Sequence, residues 1–229
     1  MQLYKHYSFD LWLTLIKSNP QFKLERAKIF HAQYNPLKKS FEEVATIFRK
    51  VDLMCNSMNE KTGKNIDADE MYLMVISLIN DYNPSFEGID AEQLYVDMEQ
   101  LIFNYLPVIY DDATRSTLAR LTESGKSTVS LLSNTGFIKG VTLRKILKVL
   151  EIEQYLDFQL YSDEQRMSKP NLQFFQLMLD TIDRQKHTEL ELHEIVHIGD
   201  NPVADIHGAG KLGIHSVLIN SNDQTINCL

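Results

Sequence analysis

Five places in this 229-residue chain carry side chains suited to work on a phosphoryl group. They are Asp10 with Thr14, Ser133-Asn134, Lys169-Pro170, Asp200-Asn201-Pro202, and Asp205. Asp10 interrupts the apolar run from Tyr7 to Ile16, where a carboxylate is costly to bury unless ligands or hydrogen bonds meet it. Alone, it reads as a strand that ends at an Asp by accident; its companions change that. A carboxylate can attack phosphorus and carry it as an acyl phosphate. The transition state is rich in charge, so the remaining work is positioning and neutralisation. Ser133 Oγ, with Asn134, Thr14 and nearby backbone N–H groups, suits the phosphate oxygens, and the helix that follows adds its N-terminus. Lys169 brings a positive charge, and Pro170 favours extended backbone before a helix. Asp10 with Asp200 makes an oxygen-rich pair fit for Mg²⁺, which takes few protein carboxylates and keeps waters. Asn201 and Pro202 cap and start a last helix, setting Asp205 on its first turn beside the site.

These residues can cooperate only if strand ends converge. Residues 5–11 read as a first strand. From Pro20 to about Leu106 the spacing is helical, over 21–35, 40–58, 67–82 and 90–105. Met71, Val75, Leu78 and Ile79 share one face of the third segment; Leu94, Met98, Leu101, Ile102 and Tyr105 share one of the fourth. Asn35-Pro36, Thr62-Gly63-Lys64-Asn65 and Asn83-Pro84-Ser85 punctuate them, with Asp67 and Asp90 as N-caps. After Leu106-Pro107 helices and strands alternate. Helix 111–124, strand 127–132, helix 137–150, strand 158–161, helix 171–183, strand 195–198, helix 202–211 and strand 215–219 predict a parallel sheet covered on both faces. The division expected is an α/β core over 1–16 and 106–229, interrupted by an all-helical insertion over 17–105. In such a sheet ligands bind beyond the carboxyl ends of the strands, where every polar group named above falls.

Composition narrows the partners. Hydrophobic residues at 44% and charged residues at 24% argue for a folded globular chain rather than a disordered one. A net charge of −8 without long basic runs disfavours nucleic acid, while a small anionic substrate fits a locally positive site. Cys55 and Cys228 suggest neither a disulfide framework nor a thiolate metal site. The N-terminus, Met1 to His6, leads straight into a strand without a signal-peptide segment, and no run of eighteen apolar residues could span a membrane. The expectation is a soluble cytoplasmic protein; no oligomeric state is indicated.

In order, the motifs are Phe9-Asp10-Leu11-Trp12-Leu13-Thr14-Leu15, Leu131-Leu132-Ser133-Asn134-Thr135-Gly136, Ser168-Lys169-Pro170-Asn171, and Ile198-Gly199-Asp200-Asn201-Pro202-Val203-Ala204-Asp205. This set resembles the haloacid dehalogenase-like (HAD) hydrolase superfamily, helical-cap type, over the whole chain. The resemblance implies a Rossmann-like core with a parallel sheet and an inserted helical cap. It implies an Asp10 nucleophile, phosphate contacts from Ser133 and Lys169, and Mg²⁺ held near Asp10 and Asp200, with the Trp12 backbone carbonyl and Asp205 completing its surroundings.

One departure matters. The family's phosphatases carry a second Asp two residues after the nucleophile as general acid and base; here that residue is Trp12. Indole can neither deliver a proton to an alkoxide nor activate water, and losing such a group typically forfeits about 10²–10⁴ in rate. Acyl and aryl phosphates, whose leaving groups need no proton, suffer least. Dehalogenases of the family also have an aromatic residue there and need no metal, but they drop the Gly-Asp that this chain keeps at Gly199-Asp200. Phosphonate-cleaving relatives use a cap lysine, and nothing marks Lys50, Lys61 or Lys64 as one. Three readings stand: a Mg²⁺-dependent phosphatase, a metal-free dehalogenase-like hydrolase, and a catalytically weak metabolite-binding protein. Minor matches explain themselves. Gly125-Lys126-Ser127 has the wrong element order for a P-loop, Lys61-Thr62-Gly63 reads as a turn, and His193 and His197 straddle a strand start.

Overall fold

The computed structural model describes residues 4–83, 86–123, 125, 127–185 and 190–229. Pro84 and Ser85 of one expected turn, Lys126 of the discarded P-loop match and Met1 to Leu3 lie outside them. Strands β1 (His6–Phe9), β4 (Thr128–Ser133), β5 (Phe158–Tyr161), β6 (Ile195–Gly199) and β7 (His215–Leu218) form one parallel sheet in the order β5-β4-β1-β6-β7. β4 and β6 are buried at every position, as expected of a sheet covered on both faces. The first strand in sequence thus sits at the centre. Phe9 pairs with Leu131 on one side and Ile198 on the other, so Asp10 leaves the sheet level with the ends of β4 and β6.

Between β1 and β4 come α1 (Pro20–Gln33), α2 (Phe41–Thr62), α3 (Ala68–Ile79) and α4 (Ala91–Asn104). Their caps are local chemistry. Ser40 and Glu43 form a reciprocal capping box, Asp90 accepts from Gln93 N–H, and Gly63 closes α2 at φ +68°, where a side chain would be strained. The buried faces of these helices make a separate apolar cluster around Phe30, Phe48, Tyr72 and Met98.

The four-helix unit and the sheet are joined by a short antiparallel pair, β2 (Ile16–Lys17) with β3 (Val108–Ile109), which the sequence pattern did not suggest. The remaining helices, α5 (Thr114–Glu123), α6 (Gly140–Val149), α7 (Ser162–Gln165), α8 (Leu172–Gln185) and α9 (Gly208–Lys211), cover the sheet. One expectation is corrected in detail: the last helix opens as a π-helical turn, Pro202–His207, before α9. Asn201 caps it by accepting from Val203 and Ala204 N–H. Among the described residues no helix is long and apolar enough to cross a membrane.

Candidate active site

At the carboxyl ends of β1, β4 and β6, three carboxylates meet one ammonium. Asp10, Asp200 and Asp205 each place an oxygen within 4.8 Å of the others. Lys169, only 1% exposed, lies among them. Its Nζ is 2.8 Å from Asp10 Oδ1 and 2.7 Å from Asp205 Oδ1, and it also donates to the Leu132 carbonyl at the end of β4. These three acceptors match the three N–H donors of an ammonium. Lys169 therefore grips Asp10 rather than waiting free for a phosphate. The backbone around it is fixed by Asn134, whose Nδ2 donates to the Lys169 carbonyl (3.0 Å) and whose Oδ1 accepts from its N–H (2.7 Å).

Asp10 Oδ2 accepts from Thr14 Oγ at 3.1 Å, so both carboxylate oxygens are oriented. Ser133 is buried and donates to the Asn134 carbonyl (3.1 Å). Between Leu11 and Ile16 the chain turns tightly. Leu13 N–H donates to the Ile16 carbonyl, and Leu13 sits at φ +60°, a strained region for a branched side chain. Asn220 Nδ2 braces this turn from beyond β7 by donating to the Leu13 carbonyl (2.8 Å). The turn's bridging hydrogen bonds come from Leu13 and Ile16, which leaves the Trp12 carbonyl outside them.

The charges are unequal in their settings. Burial pushes Asp10 up to about 6, with Lys169 pulling against it and Asp205 adding to it. Burial and the negative charges of Asp10 and Asp205 push Asp200 up to about 7. Burial would raise Asp205 too, but Lys169 and the His197 hydrogen bond hold it well below the usual carboxylate range. Lys169 is raised: its two carboxylates outweigh burial. His197 is buried in β6 and lowered mainly by that burial, hence neutral. With Asp205 ionised, His197 Nε2–H donates to Asp205 Oδ1 (3.2 Å) and Ser8 O–H donates to Nδ1 (2.9 Å). Asn201 N–H completes Asp205 at Oδ2 (3.0 Å).

Gly199 makes this possible. A Cβ there would lie 2.1 Å from Asp205 Oδ2, closer than any real contact. Gly199→Ala is expected to push Asp205 off Lys169, leaving a buried charge unpaired at about 3–5 kcal/mol. Thermal unfolding should show a melting temperature lower by roughly 6–20 °C; an unchanged melt would mean the Asp205 contact contributes little.

Above Asp10 opens a cavity of about 750 Å³, lined by Asp10, Trp12, Lys169 and Asp200 below and by Phe48, Asp52 and Glu60 of α2 above. α2 is tied down over it. Asn201 Nδ2 donates to Glu60 (2.8 Å), and the Gly63 carbonyl accepts from Ser168 N–H (3.1 Å) and Asn171 Nδ2 (3.0 Å). The structure thus brings together Asp10, Thr14, Lys169, Asp200 and Asp205, with Asn134 bracing Lys169 and Trp12 on the cavity wall, while Ser133, expected at the phosphate, is buried behind the wall with its hydroxyl turned to the Asn134 carbonyl. Sequence reasoning missed His197, noted only as straddling a strand start with His193, although Ser8 and His197 pair across β1 and β6. It also missed Arg26, whose signal was an arginine on the apolar face formed by Phe22, Ala27 and Phe30.

Comparison with known proteins places the chain in a family. Residues 4–213 match the family model for haloacid dehalogenase-like hydrolases. The chain belongs to that family, and it is a hydrolase of the HAD superfamily. A stretch of 77 residues is 36% identical to the Rhythmically expressed gene 2 protein of Drosophila melanogaster, covering 34% of this chain and 28% of that protein. In fold, the chain is similar to the putative HAD-hydrolase YfnB of Bacillus subtilis, solved bound to magnesium (TM-score 0.72, 15% identity, 97% of this chain and 92% of that one). A HAD phosphatase from Thermococcus onnurineus gives 0.63 at 21% identity over 96% and 88% of the two chains. The L-2-haloacid dehalogenase of Xanthobacter autotrophicus gives 0.61 at 17% over 95% and 78%.

Proposed function

We propose that this chain is a Mg²⁺-dependent phosphohydrolase acting on a small phosphorylated metabolite through an aspartyl phosphate at Asp10. The observation that carries this reading is the charge count: three carboxylates converge on a single ammonium. Two of them are held partly protonated near neutrality, so the donor set is short of positive charge. All-oxygen donors of this kind suit Mg²⁺. Asp10, Asp200 and the Trp12 carbonyl are the groups that would hold it, with Asp205 committed to Lys169 and His197. When bound, such an ion neutralises charge on the transferring phosphoryl oxygens. The magnesium in YfnB supports the same choice.

The chain's own residues supply the rest. Lys169 and Thr14 fix the two oxygens of Asp10, so one can be presented to phosphorus in line with the leaving group. Attack forms the Asp10 O–P bond and breaks the bond to the leaving oxygen, which departs with the electron pair. Water then attacks the phosphorus of the acyl phosphate, releasing inorganic phosphate and restoring Asp10, with its proton passing to solvent. Trp12 offers no proton at either step, so acyl and aryl phosphates are the favoured substrates.

A second reading, a metal-free dehalogenase, is favoured by the aromatic residue at position 12 and opposed by the intact Gly199-Asp200. A third, a metabolite-binding protein without turnover, also follows from Trp12. Phosphate release from acetyl phosphate and p-nitrophenyl phosphate, with Mg²⁺ or with EDTA, separates them when run beside halide release from 2-haloacids. We expect Mg²⁺-dependent phosphate release and no halide. Metal-independent halide release would overturn the phosphohydrolase reading, and silence in both assays would favour the binding protein.

A further inference from the structure

Besides Lys169 and the exposed Lys17, Lys23 and Arg49, a second buried cation lines the cavity, and the scheme above leaves it unused. Arg26 is on the inward face of α1, 7% exposed, and lines the same cavity as Asp10. Aromatic rings surround its guanidinium: its central carbon is 4.1 Å from the ring centre of Phe48, 4.4 Å from that of Phe137 and 5.2 Å from that of Phe22. Its buried Nε has no hydrogen-bond partner, and no carboxylate among the described residues comes within ion-pair distance of it. Tyr72 beside it offers a hydroxyl but no charge, and Asp52 is close enough only for its field to be felt.

A buried cation without a counter-charge is strongly destabilising unless something compensates. Aromatic faces compensate only in part. The location also speaks. Phe137 follows Gly136 in the loop leaving β4, three residues beyond the Asn134 that brackets Lys169. The guanidinium is therefore built over the loop that flanks the reaction centre, in the wall of the same cavity. A planar fork of this kind matches a carboxylate or phosphate two bonds at a time, and apolar walls strengthen such bonds by excluding water.

We propose that Arg26 is the subsite for a second oxyanion, a carboxylate or a phosphate, at the far end of the substrate whose reacting end meets Asp10. The inference rests on the hydrolase reading for what happens at Asp10, but not for the binding itself. The substrate class it defines is a short, doubly anionic metabolite.

Trp12, the sole tryptophan of the chain, lines the cavity and reports binding without turnover. Its fluorescence would be followed, with Mg²⁺ present, during titration with short alkyl phosphate monoesters ending in a methyl, a carboxylate or a second phosphate. Wild-type protein should bind one or both doubly anionic esters at least about tenfold more tightly than the methyl-ended one. Which of the two gains identifies the natural tail. Arg26→Met should erase that preference and leave the methyl-ended affinity within about twofold, while Arg26→Lys should restore part of it. Because Arg26 has no carboxylate partner among the described residues, Arg26→Met loses only its ring contacts and the neighbouring Tyr72 hydroxyl while relieving a buried charge, and should melt near the wild-type temperature. No preference in the wild type, or equal weakening of all three esters in Arg26→Met, would overturn the subsite. If no ester is hydrolysed and the Arg26-dependent preference persists, the hydrolase reading fails and the subsite stands. Hydrolysis of all three without a tail preference gives the reverse.

Discussion

Asp10→Asn should lower phosphate release by at least about 10⁴-fold while the protein stays folded. The amide has no oxygen able to carry phosphorus as a stable acyl phosphate, so the covalent route closes. The surroundings are built to tolerate the change. The amide oxygen can still accept from Thr14 or Lys169, and Lys169 keeps Asp205 and the Leu132 carbonyl. Removing one negative charge also relieves Asp200, which Asp10 helps to push up to about 7. Initial rates on acetyl phosphate and a thermal melt check both halves. A variant that retains turnover within about tenfold would remove Asp10 from the reaction; a collapsed melt would make it chiefly a structural partner of Lys169.

The second large effect goes the other way. Trp12→Asp should raise turnover of alkyl phosphates by about 10²–10⁴, and that of acyl phosphates far less, because only alkoxide leaving groups need a proton. The setting favours the new group as an acid. It would join a cavity wall where burial and neighbouring carboxylates already raise both Asp10 and Asp200, so crowding would push it upward and leave part of it protonated near neutrality. The same crowding predicts a lower melting temperature without Mg²⁺ and a steeper dependence on the ion. Rates on an alkyl and an acyl phosphate, compared in wild type and variant, decide the matter. Equal gains on both, or none in a folded variant, would remove the missing proton donor as the reason for weak alkyl hydrolysis.

Much of this site is legible in the sequence. A carboxylate ending an apolar run at Asp10, and a glycine-aspartate pair ending another at Gly199-Asp200, are local signals, and alternation of strands and helices predicts that their strand ends converge. What stayed hidden depends on register. Ser8 lies opposite His197 only because β1 and β6 pair as they do, and that pairing turns a packing histidine into the support of Asp205. Lys169 reads as a free phosphate ligand in sequence because its three acceptors come from β1, β4 and the turn after β6. The two-residue strands β2 and β3 carry no periodicity to read at all. Arg26 was visible only as an arginine on an apolar helical face, and its lack of a carboxylate partner among the described residues is a fact of three dimensions.

The most direct test is to look for phosphorus on Asp10. Protein incubated with acetyl phosphate and Mg²⁺, then quenched in acid, would be digested and its peptides analysed by mass spectrometry. A hydroxylamine-sensitive phosphoryl adduct on the peptide carrying Asp10, absent with EDTA and absent from Asp10→Asn, is the result expected. An adduct on another residue, or phosphate release with none on Asp10, would contradict the aspartyl-phosphate route.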